Sequence, residues 1–277
     1  MKKLFYLLLL LASINSHAQE LKLKKRQLES MTGSEFARSI SDTSLSLEDR
    51  EKLIYTEIKN GNVPDFLRKL SIVQVEKIIN TKNYVLTIYT TPDYLVIGND
   101  DDFFYLSITP ILAQKIASLT NAILPTKAIV DEIYNNAKIK LEPQPIPPSK
   151  AMTTVPVFIT HNGIILKQLE AFKARHQQSE LTAGNKKDII ISNKIFGQPT
   201  PRVVIYGWHK LDGKAIQPVY NKHTNTWADY SHGVRLVSEK AVLNGKKVKL
   251  TDLLKDSNLC ELLSDEGIIL KSKYPLN

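Results

Sequence analysis

The chain has 277 residues, with 37 lysines and arginines against 28 aspartates and glutamates, for a formal net charge of +9. Its single cysteine, Cys260, excludes an intramolecular disulfide and any zinc cage built from several thiolates. The lysines are scattered rather than gathered in one block, so the excess charge speaks of steering toward anionic surfaces and does not imply nucleic acid.

Residues 1–18 begin with Lys2 and Lys3, continue through an apolar run to Ile14 and end Ser16-His17-Ala18, the three-part pattern of a secretory signal peptide. The run is shorter than the roughly 20 apolar residues a retained bilayer-spanning helix needs. Cleavage after Ala18 removes 18 residues and two lysines, leaving 259 residues with a charge of +7 and no integral membrane span. The expected destination is the periplasm or the extracellular space.

Residues 19–70 are expected to form a small helical region. Ser46 has Asp49 three residues on, at capping-box spacing, and Gly61 stands where a left-handed C-cap belongs. From residue 71 the pattern changes. Residues 83–90, 93–98 and 103–109 are β-branched and aromatic at strand length, which predicts a meander. Thr109-Pro110 and Pro125-Thr126 then each open a helix. Residues 142–149, EPQPIPPS, hold four prolines and are expected to lie as an extended strap, since proline offers no amide donor. A helix follows through residues 163–178, and strand patterns return at 188–192, 201–209, 214–220 and 234–238. Helices and hairpin-linked strands mixed in this irregular way predict an α+β fold, with a largely antiparallel sheet and flanking helices over residues 71–277.

Five histidines, His161, His176, His209, His223 and His232, lie within 72 residues of one another if His17 leaves with the signal peptide. If residues 229–232 form a strand, alternation places Tyr230 and His232 on one face and Asp229 and Ser231 on the other. That parity argues against a Ser231-based triad and for an acid–base group of His209, His232 and Tyr230, with Asp229 or Lys187 orienting. Trp208 and Trp227, with Tyr206 and Tyr220, offer faces for stacking on sugars, which core packing explains at least as well, and His161 joins the two tryptophans as a candidate substrate contact. No cofactor is expected. A zinc site would need His209, His232 and either His223 or Asp229, and no recognised ligand spacing supports it. His176 reads as a surface residue at a helix C-terminus. Asp100, Asp101 and Asp102 lack the spacing of a calcium loop and read as a hairpin turn. Cys260, within an apolar stretch, reads as a small buried side chain.

The stretches IPPSKAMTTVPVF, KKDIIIS, VVIYGWHKLDGKAIQPVY and WADYSHGVRLV resemble a family of exported bacterial proteins to which no activity is attached. The resemblance runs from about Tyr84 to the C-terminus and implies no residue roles. On the residues themselves, the leading expectation is a hydrolase of a cell-envelope or extracellular polymer. The alternatives are a non-catalytic glycan- or peptidoglycan-binding module, and a scaffold that docks a partner through its N-terminal helices.

Overall fold

Helix starts in this chain are set by local chemistry. The computed structural model describes residues 19–276, so the signal-peptide reading of residues 1–18 lies outside the described residues. Helices α1 (Gly33–Ser39), α2 (Leu47–Lys59) and α3 (Asp65–Arg68) make up the N-terminal region. Thr32 caps α1 in a full capping box with Glu35, and the Ser46 side chain accepts from the Asp49 amide at the start of α2. Residues 19–32 are not helical, so the helical region begins later than its composition suggests. Gly61, at φ +88°, turns the chain after α2 where an added Cβ would meet the Lys24 carbonyl at 2.2 Å.

A long hairpin follows, β1 (Ser71–Ile79) and β2 (Lys82–Thr90), closed by Asn80 and Thr81 at positive φ, which matches the twist of the strands. Alternate residues Val73, Val75, Leu86 and Ile88 are buried. β3 (Val96–Gly98) and β4 (Phe103–Tyr105) form a separate two-stranded hairpin rather than continuing the expected meander. Its acidic loop is a docking point: Asp102 accepts from the Ser34 amide of α1 and Asp100 from the Phe66 amide of α3. The N-terminal helices therefore share the core of the rest of the chain.

α4 (Pro110–Leu119) and α5 (Lys127–Asn136) are capped by Thr109 and Thr126, with the short strand β5 (Ala122–Ile123) between them. β6 (Ile139–Lys140) pairs in parallel with β7 (Thr182–Ala183). Residues 142–149 between them carry no regular structure. α6 (Val155–Glu170) starts eight residues before the helix read from the sequence, because Pro156 sits in its first turn, where a missing amide costs nothing.

β8 (Lys187–Ile189), β9 (Ile205–His209), β10 (Ala215–Tyr220) and β11 (His232–Gly233) form a four-stranded sheet in the order β10-β9-β8-β11, antiparallel except where β11 meets β8. β12 (Val237–Ser238), β13 (Lys240–Leu243) and β14 (Lys246–Lys249) complete the larger sheet around β2. α7 (Leu250–Leu253) and a buried turn holding Cys260 lead to the C-terminal segment. The fold is α+β with substantial antiparallel sheet. No helix among the described residues is long and apolar enough to cross a membrane.

Candidate functional site

The four-stranded sheet positions the site through one cross-strand row, in which Lys187 pairs with Gly207 on one side and His232 on the other. Just before β8 the chain turns at Gly184, φ +98°, where a Cβ would lie 2.2 Å from the Leu141 carbonyl oxygen. That turn sends Lys186 inward. Gly233 makes room for it, since a Cβ there would fall 2.6 Å from both Lys186 Cβ and Tyr94 Cδ1.

Lys186 is buried, and its ammonium donates to the Tyr230 carbonyl at 2.5 Å and faces the ring of Tyr105. Burial lowers its pKa to about 7, with Asp229 and Asp93 restoring part of the shift. Beyond it lies a sealed ionic group. Tyr105 donates to Asp93, Tyr94 donates to Asp188 at 2.6 Å, and Arg235 spans the Thr91 and Thr182 carbonyls with its guanidinium 4.3 Å from the centre of the Tyr94 ring. Burial raises Asp188 to about 6, against the pull of Arg235. Fully buried charges of this kind are costly unless paired and bonded.

Toward the surface, Asp229 accepts from the Ser231 amide and hydroxyl and from the Trp227 indole, and its second oxygen stands 3.9 Å from His232 Nε2. Burial opposes the Asp229 charge, yet His232, the Ser231 hydroxyl and Lys187 outweigh it and hold the carboxyl well below the usual range. Burial lowers His232 to about 4, which makes the imidazole neutral at pH 7 even beside Asp229. Lys187 is only partly buried and lies over the Trp208 ring at 4.9 Å. His223 stacks on Trp227 with centroids 4.6 Å apart, and both remain half-exposed.

The backbone is strained here. Gly207 and Trp208 both have positive φ, +105° and +57°, within β9. A tryptophan in this region is an outlier that its surroundings must hold in place. The kink brings Trp208 to 6.3 Å from both His161 and Tyr230. His161, from α6, packs edge-on to Tyr230 at 4.9 Å. Burial and then Lys186 lower the His161 pKa, and neither ring nitrogen makes a well-formed hydrogen bond, although the Gln144 backbone stands close enough to favour the charged form. Two residues on, Ile146 both donates to and accepts from the Tyr230 hydroxyl, at 2.7 and 3.0 Å. The proline-rich strap thus crosses directly over this group.

The structure gathers His161, Lys187, Trp208, Trp227, Asp229, Tyr230 and His232, but it does not bring His209 to them. His209 Nε2 meets Asp131 at 3.1 Å, and its ring stacks on Tyr134 with Tyr206 edge-on. Asp131 also accepts from Tyr206 and Lys127, so His209 is held in a different group, one that borders Asp188 rather than His232. The expected alternation over residues 229–232 fails for a simple reason: only His232 is in a strand, and residues 229–231 form a turn. Asp229 therefore serves both Ser231 and His232. The Tyr230 hydroxyl is engaged by the strap instead of standing free as an acid. No three His, Cys, Asp or Glu side chains converge as a metal-ligand set among the described residues, and His209, His223 and His232 are not assembled as one. His176, also apart, pairs with Glu180 at 2.7 Å.

Sequence reasoning missed Lys186, Asp188, Arg235, Asp93 and Asn185. Asp93, Asp188 and Arg235 border or interrupt apolar runs, which leave such a side chain little outward face, whereas Asn185 and Lys186 sit in a polar stretch that carries no such signal. Comparison of the chain with protein-family models, curated proteins and solved structures finds no match.

Proposed function

We propose that the chain is an exported hydrolase of a cell-envelope or extracellular polymer, with acid–base chemistry carried by His232, Asp229 and Lys187. The observation that supports this reading is a concentration of unpaired polar atoms. Of eleven buried side-chain nitrogen and oxygen atoms without a well-formed hydrogen bond among the described residues, nine belong to His161, Asn185, Asp188, Trp208, His232 and Arg235. Folds leave few such groups unpaired, and they concentrate strain and displaced pKa values where chemistry requires them.

In this reading neutral His232 takes a proton from water as the water oxygen bonds to the electrophilic carbon of the substrate. Asp229 stabilises the imidazolium that forms, and the Lys187 ammonium stabilises the negative charge developing on the attacked oxygen. The scissile bond then breaks, and the proton passes from His232 to the leaving group. His232 is fully buried, so this reading requires the strap, tied to Tyr230 through Ile146, to lift and admit water and substrate. The half-exposed stack of His223 on Trp227, next to Lys187, supports a second reading in which this aromatic surface holds a polymer without turning it over.

Incubation with purified peptidoglycan sacculi, with soluble fragments followed by mass spectrometry, separates the two. The hydrolase releases fragments, and His232→Gln abolishes release while circular dichroism stays unchanged. Co-sedimentation with sacculi, weakened by Trp227→Ala and without product, supports the binding module. Neither release nor sedimentation removes this polymer as the target.

A further inference from the structure

Away from the acid–base group, the C-terminal segment and the β13–β14 hairpin build a second charged feature. Residues 271–274 alternate: Ser272 and Tyr274 are buried while Lys271 and Lys273 are exposed. Tyr274 fixes this alternation, because its hydroxyl donates to the Ile190 carbonyl at 2.8 Å and its amide donates to Gln114 at 3.0 Å. The two lysines therefore stand on the wall of an open groove of about 570 Å³, which Lys255 also lines. Phe196 forms part of the same wall and carries Lys271 over its ring at 5.0 Å. Glu239 is the acidic residue lining the groove, and it is engaged by the Thr251 hydroxyl at 2.9 Å.

The hairpin root adds to the same sign of charge. Lys240 and Lys249 are cross-strand partners, both exposed, an arrangement that destabilises a sheet. They flank Glu239 and Leu250, which are joined by a backbone hydrogen bond at the groove. None of Lys240, Lys249, Lys255, Lys271 and Lys273 makes an ion pair among the described residues. With three lysines against one glutamate in its lining, the groove carries net positive charge and focuses positive potential.

We infer that this groove binds a linear polyanion, a chain bearing repeated phosphate or carboxylate groups. Lysines are flexible point charges without the bidentate fork of arginine, so they suit a run of anionic groups better than one small anion of fixed geometry. A concave wall follows a chain; a flat lipid surface reaches only its edges. This inference does not rest on the hydrolase reading, and its test reads binding alone.

The probes are inorganic polyphosphate and polygalacturonate, measured by fluorescence anisotropy against salt, with vesicles containing anionic lipid as a separate arm. With three groove lysines engaged, affinity is expected to fall roughly tenfold or more between 50 and 200 mM salt, by analogy with counterion release from single strands. The combined Lys255→Gln, Lys271→Gln and Lys273→Gln variant should lose at least tenfold at low salt and show a flatter salt dependence. A charge-matched variant at Lys138, Lys210 and Lys214, also exposed, should bind as wild type does. Equal losses in the two triple variants overturn the inference, as does absence of binding to both polymers at low salt. Binding to vesicles alone overturns it in favour of a membrane surface.

Discussion

Removing one oxygen should free the strap. Tyr230→Phe keeps the ring packed against His161 and Trp208 but deletes the hydroxyl that donates to the Ile146 carbonyl at 3.0 Å and accepts from the Ile146 amide at 2.7 Å. Each such bond is worth about 1 kcal/mol net. Ile146 is half-buried, so water recovers part of that loss once the strap lifts. The expected cost of the strap's closed state is therefore about 1.4 kcal/mol, a tenfold change in its opening equilibrium. The assay is amide hydrogen exchange at Ile146 and its neighbours in 142–149. Exchange there should quicken about tenfold, while the core amides of β1 and β2 change far less. Unchanged exchange at Ile146 would refute the argument that Tyr230 is what holds the strap down. Uniform quickening across the whole chain would show a global loss instead.

Three further outcomes follow from the same geometry. Lys186→Met should stabilise the protein by about 1–3 kcal/mol in thermal unfolding below pH 7, since a buried cation is replaced by an apolar chain of similar length. A destabilised variant would show that the ammonium's bond to Tyr230 outweighs its burial. Gly233→Ala should cost roughly 1–3 kcal/mol in denaturant unfolding, because the new methyl meets Lys186 and Tyr94 at 2.6 Å. The stability difference between wild type and His232→Gln should move with pH. Folded His232 refuses a proton that the unfolded chain accepts below about 6.5, so its contribution is lost as pH falls toward 4. Wild type should lose ground to the variant by up to about 3 kcal/mol over that range, and a pH-independent difference would contradict the depressed pKa.

What the sequence made legible was local. Ser46, Thr109 and Thr126 announce their helices through caps that depend on residues three positions away, and Asn244-Gly245 announces the β13–β14 turn. Non-local pairing was hidden: nothing within residues 83–105 says that β2 joins β12 and β13 while β3 and β4 pair with each other. Of the 161–232 histidines, His161 and His232 lie in one buried group while His209 does not, and the alternation expected over 229–232 fails because residues 229–231 form a turn. Lys187 reads from the sequence as an orienting charge for the acid–base group. Its neighbour Lys186 is the one sealed inside, because Gly184 reverses the chain just before it. Arg235 carried a usable signal: flanked by Val234, Leu236 and Val237, all buried, it had no solvent face to occupy. The positive φ of Trp208 had no signal beyond the glycine that precedes it.

The proposed acid–base chemistry requires a neutral imidazole at His232 beside an ionised Asp229. Titration of the His232 ring by NMR, with carbon-13 label at Cε1, measures this in the intact protein. The account predicts a midpoint near pH 4, which falls further in Asp229→Asn as the neighbouring charge is removed. A midpoint near 6.5, unmoved by that substitution, would mean a solvated ring and would contradict it.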